Sequence, residues 1–488
     1  MVIKTKIASG IFWAVLMRWS IKFIGLINTV ILARLLLPED FGLVAMAMLI
    51  IGLIEELSTL NIALLLIRGK GIDRSHSDTA WTVGILQGFL LAGLLVIFAP
   101  FAASYFGDER VVDVVYVLAI LKVVTGFKNV GVIIARKELD FTFDYKFMVY
   151  TRVSIFFTVL GFALVTRDYW AIVWGSLIGE IISVLLSYTM HSYRPRWCTT
   201  HIVDYFRFAI PMIPMAIAKM LNAKFDVIVV GGRSGTATMG IYNVANELAS
   251  IMTVELIMPA ARGLFPNYAL LAKSRKEFMT VYIKAVAAAA TVCIPICIGV
   301  WLTADEIVYV LLGEKWMETA EYVKWLVFFG AATSIITLMA EQPLIALGME
   351  RWVNVLMWLR LAILVGCVLL GYHLWDIKGI AIGMAVSGAI NLPIITLIIS
   401  RLMKFSVIDV LRGVVRPGLA GVVMFFVIEP TSMLLQANEV HRFIQLLCMV
   451  SLGVIVYVAS LFVVWRLAGK PDGLESFAIE KLKRRHQG

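Results

Sequence analysis

From about residue 10 to residue 465 the chain is a succession of apolar runs of twenty residues or more, divided by short breaks that hold prolines, glycines and charges. This pattern leaves few folds open. A hydrocarbon layer about 30 Å thick takes roughly 20 apolar residues per helix. It admits only helices or closed barrels, because an unpaired backbone amide has no water to bond there. A barrel strand would alternate polar and apolar over about 10 residues, whereas runs such as Gly88–Ala103 stay apolar throughout. The fold class is therefore an all-α integral membrane protein. Composition agrees, with 61% hydrophobic and 16% charged residues, against about 45–50% and about 25% in soluble domains. Lys4 and Lys6 before an apolar run resemble the start of a signal peptide. The run is too long for one, carries Arg18 and Lys22, and lacks a small-x-small cleavage site, so it is expected to persist as the first membrane helix. The five cysteines form no disulfide framework or metal-like pair, and Cys293 and Cys297 read as small core residues.

Reading the runs against their breakers gives about fourteen transmembrane helices. They lie near residues 10–36, 41–66, 79–106, 111–135, 147–166, 169–190, 203–230, 237–262, 279–303, 320–347, 352–372, 378–400, 413–434 and 442–465. Cations collect in alternate connections: Lys4/Lys6, Arg68/Lys70/Arg74, Arg136/Lys137/Lys146, Arg194/Arg196/Arg207, Lys273/Arg275/Lys276, Arg351, Arg401/Lys404/Arg412/Arg416 and the C-terminal tail. The other set holds single cations, such as Arg34, Arg110 and Arg167. The positive-inside rule then places both termini in the cytoplasm of a multi-pass plasma (inner) membrane protein. Pro38-Glu39-Asp40 becomes the outer turn of the first hairpin. Proline stops one helix, and two acids sit at the positive N-terminal end of the next.

Shifting the chain by 198 residues lays Phe41-Gly42-Leu43 on Met239-Gly240-Ile241, each just after a short outer turn. An offset of six helices preserves topology. The expected organisation is two pseudo-repeated six-helix bundles, residues 1–202 and 203–402, an appended helix pair at 403–468 and a basic cytoplasmic tail at 469–488. Transporters are often built from such halves, with substrate between them.

The stretch "GIFWAVLMRW…ILARLLLPEDFGLVAMAMLIIGLIEEL" resembles the opening signature of the polysaccharide-transporter (Wzx-like) flippases of the multidrug/oligosaccharidyl-lipid/polysaccharide (MOP) exporter superfamily. "ARKELDF" and "PLIALGMERW" are similar to that family's cytoplasmic turns. The resemblance implies two six-helix bundles around a cavity that faces each side in turn. It also implies a cargo of undecaprenyl-diphosphate-linked oligosaccharide for lipopolysaccharide or exopolysaccharide synthesis.

Ionisable residues inside the spans are the evidence for a cargo that the residues themselves give. Each costs at least about 2.5–3.5 kcal/mol at a helix centre and so needs a wet cavity, a partner or a function. The candidate cavity cations are Arg18, Lys22, Lys122, Lys128, Arg152, Lys219 and Arg360. A diphosphate crossing a low-dielectric layer needs such cations to replace its hydration. At 1.5 Å per residue, Arg18, Lys22, Lys128, Arg152 and Arg360 lie about 10–20 Å from the cytoplasmic end, deep enough for a capture ring. Arg152 and Lys128 could instead snorkel to the inner surface. Glu55, Glu56, Glu180 and Glu247 are open to structural pairing with these cations and to proton or sodium coupling alike.

Enzyme signatures are missing from the sequence: there is no Gly-rich phosphate loop, HExxH or GxSxG. No cofactor, metal or nucleic-acid partner is expected. The partners are the lipid-linked substrate, membrane lipids and the polymerase or glycosyltransferases of the same polysaccharide. The tail from Lys470 has apolar residues at helical spacing beside Lys481, Lys483, Arg484 and Arg485, suited to an anionic inner surface. The alternatives are a cation-coupled multidrug exporter of the same superfamily and a membrane polysaccharide polymerase or ligase.

Overall fold

The structure, a computed structural model, describes residues 2–58, 62–68, 73–210, 213–258, 268, 270–271 and 274–469. The basic tail beyond Gly469 lies outside them. The described residues form helices and no strand. They pack as two compact units, Met1–Asn243 and Val244–Gly488.

The first unit holds α1 (Val2–Leu35), α2 (Pro38–Ser58), α3 (Ile62–Arg68), α4 (Arg74–Phe106), α5 (Arg110–Gly126), α6 (Gly131–Lys137), α7 (Phe141–Thr166), α8 (Trp170–Met190), α9 (Ile202–Ala209), α10 (Ile213–Arg233) and the start of α11 (Thr236–Met252). Pro38 opens α2 where its missing amide costs nothing. Asp40 reaches back to accept from the Leu37 amide at 2.9 Å, and its other oxygen accepts from the Tyr169 amide at 3.1 Å. One carboxylate therefore caps α2 and ties it to the α7–α8 turn.

Helix pairs in this unit close through glycines four apart, which let backbones approach where lipid offers no hydrophobic drive between helices. Gly175 and Gly179 of α8 lie against Val159 and Ile155 of α7, and a Cβ at Gly179 would sit 2.8 Å from the Ile155 Cα. Gly84 and Gly88 of α4 meet Gly126 and Lys122 of α5 in the same way. The span expected at 111–135 is bent by 58° between α5 and α6. Its broken backbone is met by α8: Ser187 Oγ accepts from the Asn129 amide at 3.0 Å, and the Tyr188 hydroxyl donates to Phe127 O at 2.9 Å. Irregular backbone at membrane depth survives only with such partners.

Gly42 and Gly240 carry the 198-residue offset into three dimensions. A Cβ on Gly42 would collide with the carbonyl of Thr236, and one on Gly240 with that of Pro38. Positions 38 and 236, like 42 and 240, are related by the same shift, so the crossing of α2 and α11 is reciprocal.

The second unit continues with α12 (Arg275–Leu311), α13 (Glu318–Ile336), a π turn (Thr337–Glu341), α14 (Gln342–Ala346), α15 (Glu350–Met403), α16 (Val407–Ala437) and α17 (Arg442–Leu467). At 54 residues α15 would reach about 81 Å if straight. It turns back at Trp375 and Asp376, whose dihedrals leave the helical region. Gly371 then lies on Gly379, and Gly383 on Cys367, making the two spans expected at 352–372 and 378–400 an antiparallel hairpin. The helix pair α16–α17 packs Met424, Ile428, Met449 and Tyr457 together beside Ile298 and Leu302 of α12. The Tyr457 hydroxyl donates to Thr291 O at 2.8 Å. Cys293 and Cys297 are buried and unbridged, as small core residues should be.

Nine helices among the described residues are long and apolar enough to cross a membrane, or ten if α5 and α6 make one bent span. The folded-back α15 counts once in that number. Phe98, Phe101, Val165, Leu185, Phe426, Leu447 and Ile455 are all exposed, a surface that hydrocarbon solvates and water does not.

Candidate functional site

The first helix and the seventh run parallel. The Trp13 and Tyr145 rings meet at a tilt with centroids 5.1 Å apart, and Leu32 and Leu36 join Val159 and Ala163 in one buried cluster. Between these contacts Arg152 of α7 lies against Gly25: a Cβ on that glycine would fall 2.9 Å from Nη2. Gly25 leaves the space that the guanidinium fills. Arg18, Gly25 and Leu32 are seven apart and share one stripe of α1, so Arg18 and Arg152 belong to the same α1–α7 seam. Lys22 is one turn from Arg18 and is exposed, whereas Arg18 is half-buried. Both make polar contacts in the structure.

Three other candidate cations are already met by carboxylates. Lys122 Nζ of α5 is 2.6 Å from Glu55 Oε2 of α2. Glu55 makes a further contact as well. Lys128, in the α5–α6 break, is 2.9 Å from Glu180 Oε1 of α8. Arg360 Nη1 of α15 is 3.0 Å from Glu341 Oε1 in the π turn, with only 12% of the arginine side chain exposed. Glu56 and Glu247 are half-buried, and Lys219 is exposed on α10. The acids expected to pair or to couple are thus divided. Glu55 and Glu180 sit on lysines, and Glu247 has a contact of its own.

Glu341 is the residue that sequence reasoning passed over. Its signal was present, an acid within an apolar run two residues before Pro343. The π turn that aims it at Arg360 carries no such signal, and π turns recur where function bends a helix. Asp226 and Tyr242 form a further pair. Both are fully buried in the first unit, and the tyrosine hydroxyl donates to Asp226 Oδ2 at 2.9 Å.

Outside the spans, the Arg110 guanidinium holds the Asp108 carboxyl below its usual range. Burial, seconded by a hydrogen bond to Asp78, pushes the Tyr193 phenol up to about 12.

A bundle of long apolar helices with lysine–carboxylate pairs between them defines a multi-span, all-α membrane protein. The chain belongs to the polysaccharide biosynthesis protein family, whose model matches residues 31–321. It is 21% identical over 345 residues to the lipopolysaccharide biosynthesis protein WzxC of Escherichia coli (strain K12), covering 69% of each chain. It is likewise 21% identical over 320 residues to the succinoglycan biosynthesis transport protein ExoT of Rhizobium meliloti (strain 1021), covering 64% of this chain and 63% of the relative. Among solved structures, the lipid II flippase MurJ in an inward closed conformation matches with a TM-score of 0.76 at 14% identity, over 93% of this chain and 99% of that one. An inward-facing multidrug resistance MATE transporter of the MOP superfamily matches at 0.62 and 18% identity, over 80% and 99%. These likenesses establish the fold. With the family match, the chain is a multi-span membrane protein of polysaccharide biosynthesis.

Proposed function

We propose that the protein carries an undecaprenyl-diphosphate-linked oligosaccharide from the cytoplasmic to the outer leaflet, by alternating access, for assembly into a surface or exported polysaccharide. Fourteen spans with both termini in the cytoplasm frame this reading. The observation that carries it is the α1–α7 seam, where Arg18 and Arg152 lie along one stripe with Lys22 beside them. Two guanidiniums can grip a diphosphate bidentately where its hydration shell is stripped. The lysine–carboxylate pairs Lys122–Glu55 and Lys128–Glu180 brace neighbouring helices and hold cations that a passing phosphate can borrow. Protons or sodium would act through those carboxylates. The polymerase or glycosyltransferases of the same polymer are the partners.

Cells lacking the protein should accumulate lipid-diphosphate oligosaccharide on the inner leaflet and lose one polymer, with drug sensitivity unchanged. Normal polymer together with new drug sensitivity would support the multidrug exporter instead. Arg18→Ala and Arg152→Ala should each abolish export at wild-type protein levels. Arg152→Lys should rescue only in part, since a point charge replaces a planar fork. Full export by both well-expressed alanine variants would remove the seam from the mechanism.

A further inference from the structure

Asp73, His76 and His201 meet where α4 begins and the connector leading to α9 arrives. One donor atom from each lies within 4.8 Å of the others. Asp73 Oδ1 is 2.7 Å from His76 Nδ1 and also accepts from the His76 amide at 3.0 Å. The His201 ring stacks on that of His76, with centroids 3.5 Å apart and planes 13° apart. Ser75 Oγ stands 2.8 Å from Asp73 Oδ1 and 2.9 Å from His201 Nε2, so its hydroxyl marks the position between the two donors. On the far side of His201, Asp204 Oδ2 is 3.3 Å from Nδ1.

We propose that Asp73, His76 and His201 bind one divalent transition-metal ion of the zinc type, with Asp204 as the carboxylate that orients His201. Two imidazoles and a carboxylate suit zinc, cobalt or nickel, and disfavour magnesium and calcium, which want oxygen ligands. A carboxylate on the outer nitrogen fixes the tautomer whose Nε2 lone pair faces the ion. With both imidazoles neutral the group carries two negative charges from Asp73 and Asp204, the charge that one divalent ion cancels. The neighbouring Arg74 is engaged elsewhere, with Asp78 at 3.8 Å, Arg194 O and the Tyr193 ring.

The frame around the donors is built independently of any ion. Asp78 Oδ1 accepts from the Tyr193 hydroxyl at 2.8 Å and from the Arg196 amide at 3.1 Å. Thr82 Oγ1 accepts from the Cys198 amide at 3.0 Å, and the fully buried Tyr205 donates to His76 O at 3.0 Å. These bonds lace the connector to α4 and hold His201 opposite His76. Reaching tetrahedral coordination, with bonds near about 2.0–2.1 Å, asks the stacked rings to tilt and Ser75 to yield, which are side-chain rotations alone. Both imidazoles keep about a fifth of their surface exposed, 19% and 23%, leaving the ion a way in. A bound ion would pin the segment that leads from α8 to α10.

The test uses the untagged full-length protein in lipid nanodiscs, stripped with chelator and titrated with ZnCl2 by calorimetry and with CoCl2 by visible absorption. One zinc per chain should bind, with a cobalt spectrum of low coordination, and MgCl2 should not compete. His76→Asn and His201→Asn should each lose binding at least tenfold, while melting without metal stays at the wild-type temperature. Asp204→Asn removes no ligand and should weaken binding about 10–100-fold, which keeps the test decisive if a histidine variant folds poorly. Absence of stoichiometric zinc binding, or binding left intact in these variants, overturns the site.

Discussion

Arg360 holds its charge in the second unit against the Glu341 carboxylate, which is 28% exposed. The physics of such a pair is asymmetric. Removing both charges can be neutral, but removing one strands the other where water cannot repay it. Glu341→Gln should therefore lower the folded yield, with a cost toward the bottom of the range of about 3–5 kcal/mol because the acid is partly exposed. The double variant Glu341→Gln/Arg360→Met should recover that yield. Fluorescence-detected size exclusion of the two proteins measures the difference, and equal yields would mean that the pair does not support the fold. If the double variant folds but export fails, the pair belongs to transport rather than to structure. Lys122–Glu55 is a weaker case for the same experiment, since 46% of the glutamate side chain is exposed and solvent screens it.

At the level of helices, small residues decide which faces meet. The α7–α8 contact closes over Gly175 and Gly179, and the Thr158 hydroxyl donates to Gly175 O at 2.7 Å across it. Gly179→Ala places a methyl 2.8 Å from the Ile155 Cα, where backbone and not a flexible tip must move. Overpacking of this kind costs about 1–3 kcal/mol. Gly161, on the same α7, has nothing within 4 Å of a built Cβ. Gly161→Ala should therefore be neutral or slightly stabilising, because alanine favours a helix over glycine by about 1 kcal/mol. Thermal melting in one detergent compares the two, and equal melting temperatures would show that α7 and α8 can separate freely. These G-x-x-x-G pairs were printed in the sequence at 84–88, 175–179 and 379–383. Their partners were not, because a glycine announces room for close approach without saying which helix will use it.

For the molecule as a whole the test is topology. Reporter fusions at Arg74, Lys137, Lys273 and the C-terminus should read cytoplasmic, and those at Glu39 and Glu314 external. A cytoplasmic signal at Glu314 would break the fourteen-span arrangement. The sequence by itself determined that the chain is helical and apolar enough to live in lipid, and which ionisable residues fall within its apolar runs. Length and hydropathy settle these because a membrane imposes one dimension and one solvent on every segment. The break after Leu36 and the hairpin turn at Trp375 were legible for that reason. The sequence also showed that Gly42 and Gly240 stand 198 residues apart after similar turns, and the structure crosses α2 and α11 at those two glycines. Only the tertiary structure decided which charge meets which: Glu55 with Lys122, Glu180 with Lys128, Glu341 with Arg360, and Arg152 against α1 at Gly25. It alone brought His76 and His201 face to face across more than a hundred residues. A helix fixes the angle of its own side chains, but the neighbour each one faces depends on how helices far apart in the chain are packed, and no local pattern encodes that.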